Sequence, residues 1–177
     1  MLRHPNIIQA EDPTSVQRAS EVLGNGGVVA IPTETVYGLA AAVNNPISLN
    51  KIFSVKGRPT THPLIAHLSS FEQLHEWAID ISDDALTVAS ACWPGPLSIL
   101  LKKSDELLFA VTGNRDTAVF RVPANDFTRR LIDATQVPLA APSANRFGKV
   151  SPTTAQHVFE DLGSDVDLII DGGPCTI

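Results

Sequence analysis

The chain has 177 residues, is 44% hydrophobic and 18% charged, and carries a formal net charge of -6. This suits one globular domain with one core and excludes a disordered tail; no apolar run approaches the roughly 20 residues of a membrane-spanning helix. Such an acidic chain does not coat nucleic acid through bulk charge. Residues 1–10 carry Arg3 and His4 but no continuous apolar stretch, so no secretory signal is expected. Cys92 and Cys175 match no metal-ligand spacing and point to a reducing cytoplasm.

Asp12-Pro13 reads as a helix N-cap followed by proline at the first helical position, and Val16, Ala19, Val22 and Leu23 then recur at helical spacing until Gly24. After the Asn25-Gly26-Gly27 turn, residues 28–31 form a short apolar run suited to a strand buried on both faces. Residues 38–43 are small and apolar, and Asn45-Pro46 opens a second helix whose Ile47, Ile52, Phe53 and Val55 are expected to face a core. It stops at Lys56-Gly57-Arg58-Pro59. Residues 64–68 read as a strand and 70–78 and 83–92 as helices, with an acidic outer face of Glu72, Glu76, Asp80, Asp83 and Asp84. Trp93-Pro94-Gly95-Pro96 is a turn, 97–101 and 117–122 are strands, and 125–134 is a helix. A short strand at 138–141, a helix from Ser151-Pro152 to 162 and a strand at 168–170 complete the chain. Interleaved helices and strands place it in the α/β class with a mixed sheet. Trp77, Trp93 and the phenylalanines are expected in the core.

The charge distribution says more than its sum. Residues 35–71 and 134–159 contain Lys51, Lys56, Arg58, Arg146 and Lys149 but no carboxylate, whereas all 19 acidic residues lie elsewhere. Clearing carboxylates from two stretches is what protection of an anion site requires. Lys56-Gly57-Arg58 sets a point charge and a planar fork around a glycine, so both could reach one polyanion; a solvated helix end is the alternative. Thr33-Glu34-Thr35 and Pro142-Ser143-Ala144-Asn145 each follow a predicted strand, and Arg121 ends another. Brought together, these loops would make one cationic, hydroxyl-rich pocket at the strand ends of an open sheet.

Several other sites are excluded. Gly24-Asn25-Gly26-Gly27 lacks the Lys-Ser/Thr of a phosphate-cradling loop and follows a helix. Ser143 is not in a Gly-x-Ser-x-Gly elbow, and His62 and His67 have neither the spacing nor the glutamate of a zinc pair.

Ile31-Pro32-Thr33-Glu34-Thr35-Val36-Tyr37-Gly38-Leu39, Lys56-Gly57-Arg58-Pro59 with His62-Pro63-Leu64, Arg121-Val122-Pro123, Ala141-Pro142-Ser143-Ala144-Asn145 and Ser151-Pro152-Thr153-Thr154 together resemble the YrdC-like family. Its best-known members are threonylcarbamoyl-AMP synthases. The resemblance covers nearly the whole chain in order, and Lys56, Arg58, Ser143 and Asn145 match the family's signature tetrad. It implies a single-domain YrdC-like α/β fold, a twisted mixed open sheet flanked by helices with a cationic concave pocket. It further implies a cytoplasmic nucleotidyltransferase making threonylcarbamoyl-AMP and pyrophosphate from L-threonine, bicarbonate and ATP, the first step of threonylcarbamoyl-adenosine formation in tRNA.

Residue by residue, the resemblance assigns Thr35, His67, Arg121 and the Ala141 backbone to threonine. It assigns Arg58, His62, Thr117, Ser143, Asn145 and Ser151 to ATP, and Lys56 and Arg58 to catalysis at the phosphates. Mg2+ is expected to arrive with ATP, no resident metal is expected, and the product would pass to the tRNA threonylcarbamoyl-transfer machinery. Two alternatives stay open: a carbamoyl-adenylate-forming module, and a non-catalytic module contacting double-stranded RNA or tRNA through the basic patch. Family members typically continue past Ile177 into a further strand and an Arg-Pro-Gly segment that help bind both substrates. Residues 1–177 are therefore expected to be a YrdC-like domain truncated at its C-terminal end, with a pocket open on one side.

Overall fold

Alternation organises the strands. Val29 and Ile31 face one side and Val28 and Ala30 the other; Ala40 and Ala42 alternate with Leu39 and Ala41, and Leu168 and Ile170 with Ile169, so every strand here is buried on both faces. The computed structural model describes residues 6–177, which leaves Arg3 and His4, and the expectation about a leader, outside the described residues.

The strands are β1 (Ile7–Gln9), β2 (Val29–Ile31), β3 (Gly38–Ala42), β4 (Ile65–His67), β5 (Ala78–Ile79), β6 (Ile99–Lys103), β7 (Thr117–Arg121), β8 (Leu139–Ala140) and β9 (Leu168–Asp171). They form one nine-stranded mixed sheet in the order β1-β9-β2-β3-β8-β4-β7-β6-β5. The principal helices are α1 (Ser15–Gly24), α2 (Pro46–Lys56), α4 (Asp83–Cys92), α6 (Asp126–Thr135) and α7 (Ala155–Leu162), with single turns α3 (Leu74–Trp77) and α5 (Phe109–Thr112). The expected single core is divided by the sheet. Ala19 and Leu23 of α1 and Phe127, Leu131 and Ile132 of α6 cover one face, while Leu49, Ile52 and Phe53 of α2 and Val158 and Leu162 of α7 cover the other. Among the described residues no helix is long and apolar enough to cross a membrane.

Several local expectations are corrected. Asp12 does not cap α1; its Oδ1 accepts from the Thr14 amide at 2.8 Å and hydroxyl at 2.7 Å, a turn that delays the helix to Ser15. Ser151-Pro152 likewise does not open α7, because the Pro152 carbonyl is spent on the Tyr37 amide; Thr154 is the N-cap, accepting from His157 N. The helix expected at 70–78 shrinks to the single turn of α3. Ile47 is 74% exposed in the first turn of α2, and Phe109 and Phe147 are 55% and 46% exposed, although Trp77, Trp93, Phe53, Phe120 and Phe127 are buried as expected. Cys92 and Cys175 are both free thiols.

Candidate functional site

β4 and β7 run parallel with His67 opposite Arg121 in register, which puts both side chains on one face at the carboxyl ends of adjacent strands. The Ser143 loop enters beside them through a bridge to Gly38. Arg58, His67, Arg121, Ala141 and Ser143, all expected from the sequence, line one cleft of about 290 Å³. Four larger hollows lie elsewhere, two of about 520 Å³, one of about 370 Å³ and one of about 320 Å³. Of the two of about 520 Å³, one holds the Lys51–Asp167 ion pair with Arg18 and Glu21 on its wall, and the other has no charged side chain.

The Arg121 end of the cleft is a charge-paired network. Arg121 is 7% exposed and donates from Nη2 to Glu34 Oε1 at 2.5 Å and Thr35 Oγ1 at 3.1 Å, and from Nε to the Gly95 carbonyl at 3.2 Å. Glu34, also 7% exposed, accepts the Ala124 amide on its other oxygen at 3.1 Å. Thr33 uses its hydroxyl within the turn, donating to Val36 O at 2.6 Å, so Thr35 alone of the two threonines has its hydroxyl on Arg121. His67 is 3% exposed, with Nδ1 3.3 Å from the Ile65 carbonyl. Burial, helped by the neighbouring Arg121 charge, depresses its pKa to about 4, so the imidazole is neutral at pH 7.

The other end is cationic and incompletely paired. Gly57 ends α2 at φ +62, the left-handed conformation that favours glycine, and the turn sends Lys56 inward and Arg58 to the cleft. Lys56 is 2% exposed, and its ammonium donates to the carbonyls of Ser143 and Asn145, pinning the loop from behind. Burial and then Arg58 lower the Lys56 pKa to about 8. Arg58 donates from Nη2 to Pro63 O at 2.9 Å, while its Nε is buried with no partner; burial lowers its pKa as well. Asn145 donates to the Arg146 and Lys149 carbonyls at 2.8 Å each, which fixes its amide and leaves Oδ1 buried without a donor.

The remaining expected residues are dispersed. His62 is exposed and meets Phe147 edge-to-face at 5.3 Å. Ser151 lines a separate hollow with Asn145. Thr117 lies at the opposite end of β7, roughly 13 Å along the strand from Arg121, so a ligand touching all of them would have to extend along β7. The pocket is also less cationic than the carboxylate-free windows imply. Lys51 pairs with Asp167 at 2.6 Å, Arg146 with Asp165 at 2.8 Å and Lys149 with Asp161 at 2.7 Å, which leaves Lys56 and Arg58 as the cations of those windows not paired with a carboxylate. Among the described residues no cluster of His, Cys, Asp or Glu could hold a metal. The sequence reading missed Glu34 as the partner of Arg121; its only signal was a carboxylate flanked by threonines directly after a buried strand.

This geometry has relatives. Residues 21–177 match the family model for Sua5, YciO and YrdC proteins described as "Telomere recombination". The threonylcarbamoyl-AMP synthase of Pyrococcus abyssi is 42% identical over 172 residues, covering 97% of this chain and 51% of the relative. That of Vibrio vulnificus strain YJ016 is 31% identical over 161 residues, covering 90% of this chain and 87% of the relative. The crystal structure of P. abyssi Sua5 complexed with L-threonine superimposes with a TM-score of 0.88 at 45% identity, over 90% of this chain and 47% of that one. The chain thus spans about half the length of the P. abyssi protein and most of the V. vulnificus one. With the family model matched from residue 21 to residue 177, and a relative matched along most of both chains, the chain belongs to the Sua5/YciO/YrdC family.

Proposed function

We propose that this chain forms L-threonylcarbamoyladenylate from L-threonine, bicarbonate and ATP and releases pyrophosphate, supplying the first step of threonylcarbamoyladenosine formation in tRNA. The observation that carries this reading is the polarity of the cleft: a charge-balanced Arg121–Glu34 end beside a cationic end whose Arg58 Nε lacks a partner. The relatives' synthase name and the P. abyssi threonine complex support it.

In this reading the threonine carboxylate lies against Arg121, whose Nη1 makes no hydrogen bond to the described residues, with Thr35, His67 and the Ala141 backbone around the rest of the amino acid. The threonine amine, uncharged, adds to the carbon of CO2 drawn from bicarbonate and loses a proton to give a carbamate. A carbamate oxygen then attacks the α-phosphorus of ATP in line, the bond from that phosphorus to the bridging oxygen breaks, and pyrophosphate departs with the electron pair. No covalent enzyme intermediate is needed. The protein's work is to bring two anions together and stabilise charge on the phosphoryl oxygens. Arg58 and the Ser143 hydroxyl face that charge, Lys56 fixes the Ser143 loop, and His62, Asn145, Thr117 and Ser151 follow the nucleotide outward. Mg2+ enters as part of the MgATP substrate. The cleft suits that role, since Glu34, the carboxylate beside Arg121, is committed to that guanidinium.

An RNA-binding module would need free surface cations, and the pairing of Lys51, Arg146 and Lys149 disfavours it. Pyrophosphate release from ATP is expected only when threonine and bicarbonate are both present; release without threonine would overturn the reading.

A further inference from the structure

Phe147 is 46% exposed on the polar loop that follows Asn145, so nearly half of a large apolar side chain stays open to solvent. It is held there deliberately. Its amide donates to the Lys56 carbonyl at 2.7 Å, the Arg58 guanidinium lies 5.8 Å from its ring centroid, and His62 meets it at 5.3 Å. Gly148, at φ +83, lets the chain turn sharply behind it. Arg58 also lines the cleft, so the ring stands directly outside the cationic end, where the Arg58 Nε lacks a partner.

We infer that Phe147, together with His62, is the seat on which the nucleobase of the nucleotide stacks, with Arg58 bridging base and phosphates. This rests on the proposed function for the identity of the nucleotide, and it adds a binding residue that neither the motifs nor the charge pattern indicated. A partly exposed aromatic beside a guanidinium offers a planar ligand both dispersion and cation–π attraction, and a base attached to a polyphosphate is the planar ligand that would reach Arg58 at the same time. Stacking is tolerant of base identity, so the seat contributes affinity and orientation of the α-phosphorus more than discrimination between ATP and GTP.

The test measures equilibrium binding of ATP and of inorganic triphosphate, which has no base, to the wild type and to Phe147→Ala, Phe147→Leu and Phe147→Tyr. Phe147→Ala and Phe147→Leu are expected to weaken ATP about tenfold and to leave triphosphate unchanged, while Phe147→Tyr keeps wild-type affinity for both. Phe147→Leu retains apolar bulk without the π-face, so it separates stacking from loop packing. Equal losses for ATP and triphosphate, or no loss for ATP, would overturn the inference. A parallel assay of product keeps the two readings distinct: a wild type that stacks ATP but makes no threonylcarbamoyl-AMP defeats the proposed function alone. A productive wild type with a silent Phe147→Ala defeats the base seat alone.

Discussion

The two ends of the cleft are built on opposite principles. At the Arg121 end the charged groups are matched within the protein: guanidinium against Glu34, Thr35 and Gly95, and carboxylate against the Ala124 amide. At the Arg58 end the protein leaves a buried guanidinium N–H and a buried amide oxygen without partners. A charge-paired, hydrogen-bonded network is rigid before any ligand arrives. An unpaired guanidinium N–H costs stability until an acceptor reaches it, which marks where the larger anion is expected, whereas the Asn145 oxygen, itself an acceptor, calls for a donor.

The largest expected effect tests the charge-paired end. Arg121→Met leaves Glu34 buried without its partner and should cost about 3–5 kcal/mol in urea denaturation, with part of that recovered in the Glu34→Gln/Arg121→Met double variant. If the double variant is no better than the single, the pair is not the organising feature. In any Arg121 variant that still folds, the main kinetic loss should be a raised KM for threonine.

At the unsatisfied end, Arg58→Ala should lower product formation by roughly 100- to 1,000-fold with the fold intact, since under the proposed reaction it removes a donor to the developing phosphoryl charge. Lys56→Met should act in the same direction by a different route, by freeing the Ser143 loop. Rates near wild type in both would move these cations out of the chemistry.

His67 supplies a pH signature. Its folded pKa of about 4 lies below the ordinary histidine value, so between the two the unfolded chain holds more protons. Stability should therefore fall as pH drops from about 6.5 to about 4, by about 3 kcal/mol, and His67→Gln should flatten that dependence. The smallest effect checks the periphery. Asp165→Asn releases the half-exposed Arg146 and should change stability by no more than about 1 kcal/mol while leaving ATP affinity within a factor of two or so.

Much of this was legible in the chain and some was not, for identifiable reasons. The longer strands and α2, α4 and α6 announced themselves through apolar runs and, for α2, through Asn45-Pro46 at its start. β1, β5 and α5 span only two to four residues, too few for a periodicity to register. Cleft residues Arg58, Arg121 and Ser143 were visible in the loops and His67 through the family resemblance, yet the pairing of Glu34 with Arg121 joins positions 87 apart and has no local signal. The carboxylate-free windows misled because Asp161, Asp165 and Asp167, just outside one window, fold back onto Lys149, Arg146 and Lys51. Phe147 was assigned to the core on hydrophobicity alone, whereas the backbone around Gly148 holds it outside.

Mass spectrometry of the nucleotide formed from ATP, threonine and bicarbonate tests the central claim most directly. The account predicts threonylcarbamoyl-AMP, absent when either threonine or bicarbonate is withheld; carbamoyl-AMP, or AMP formed without threonine, would contradict it.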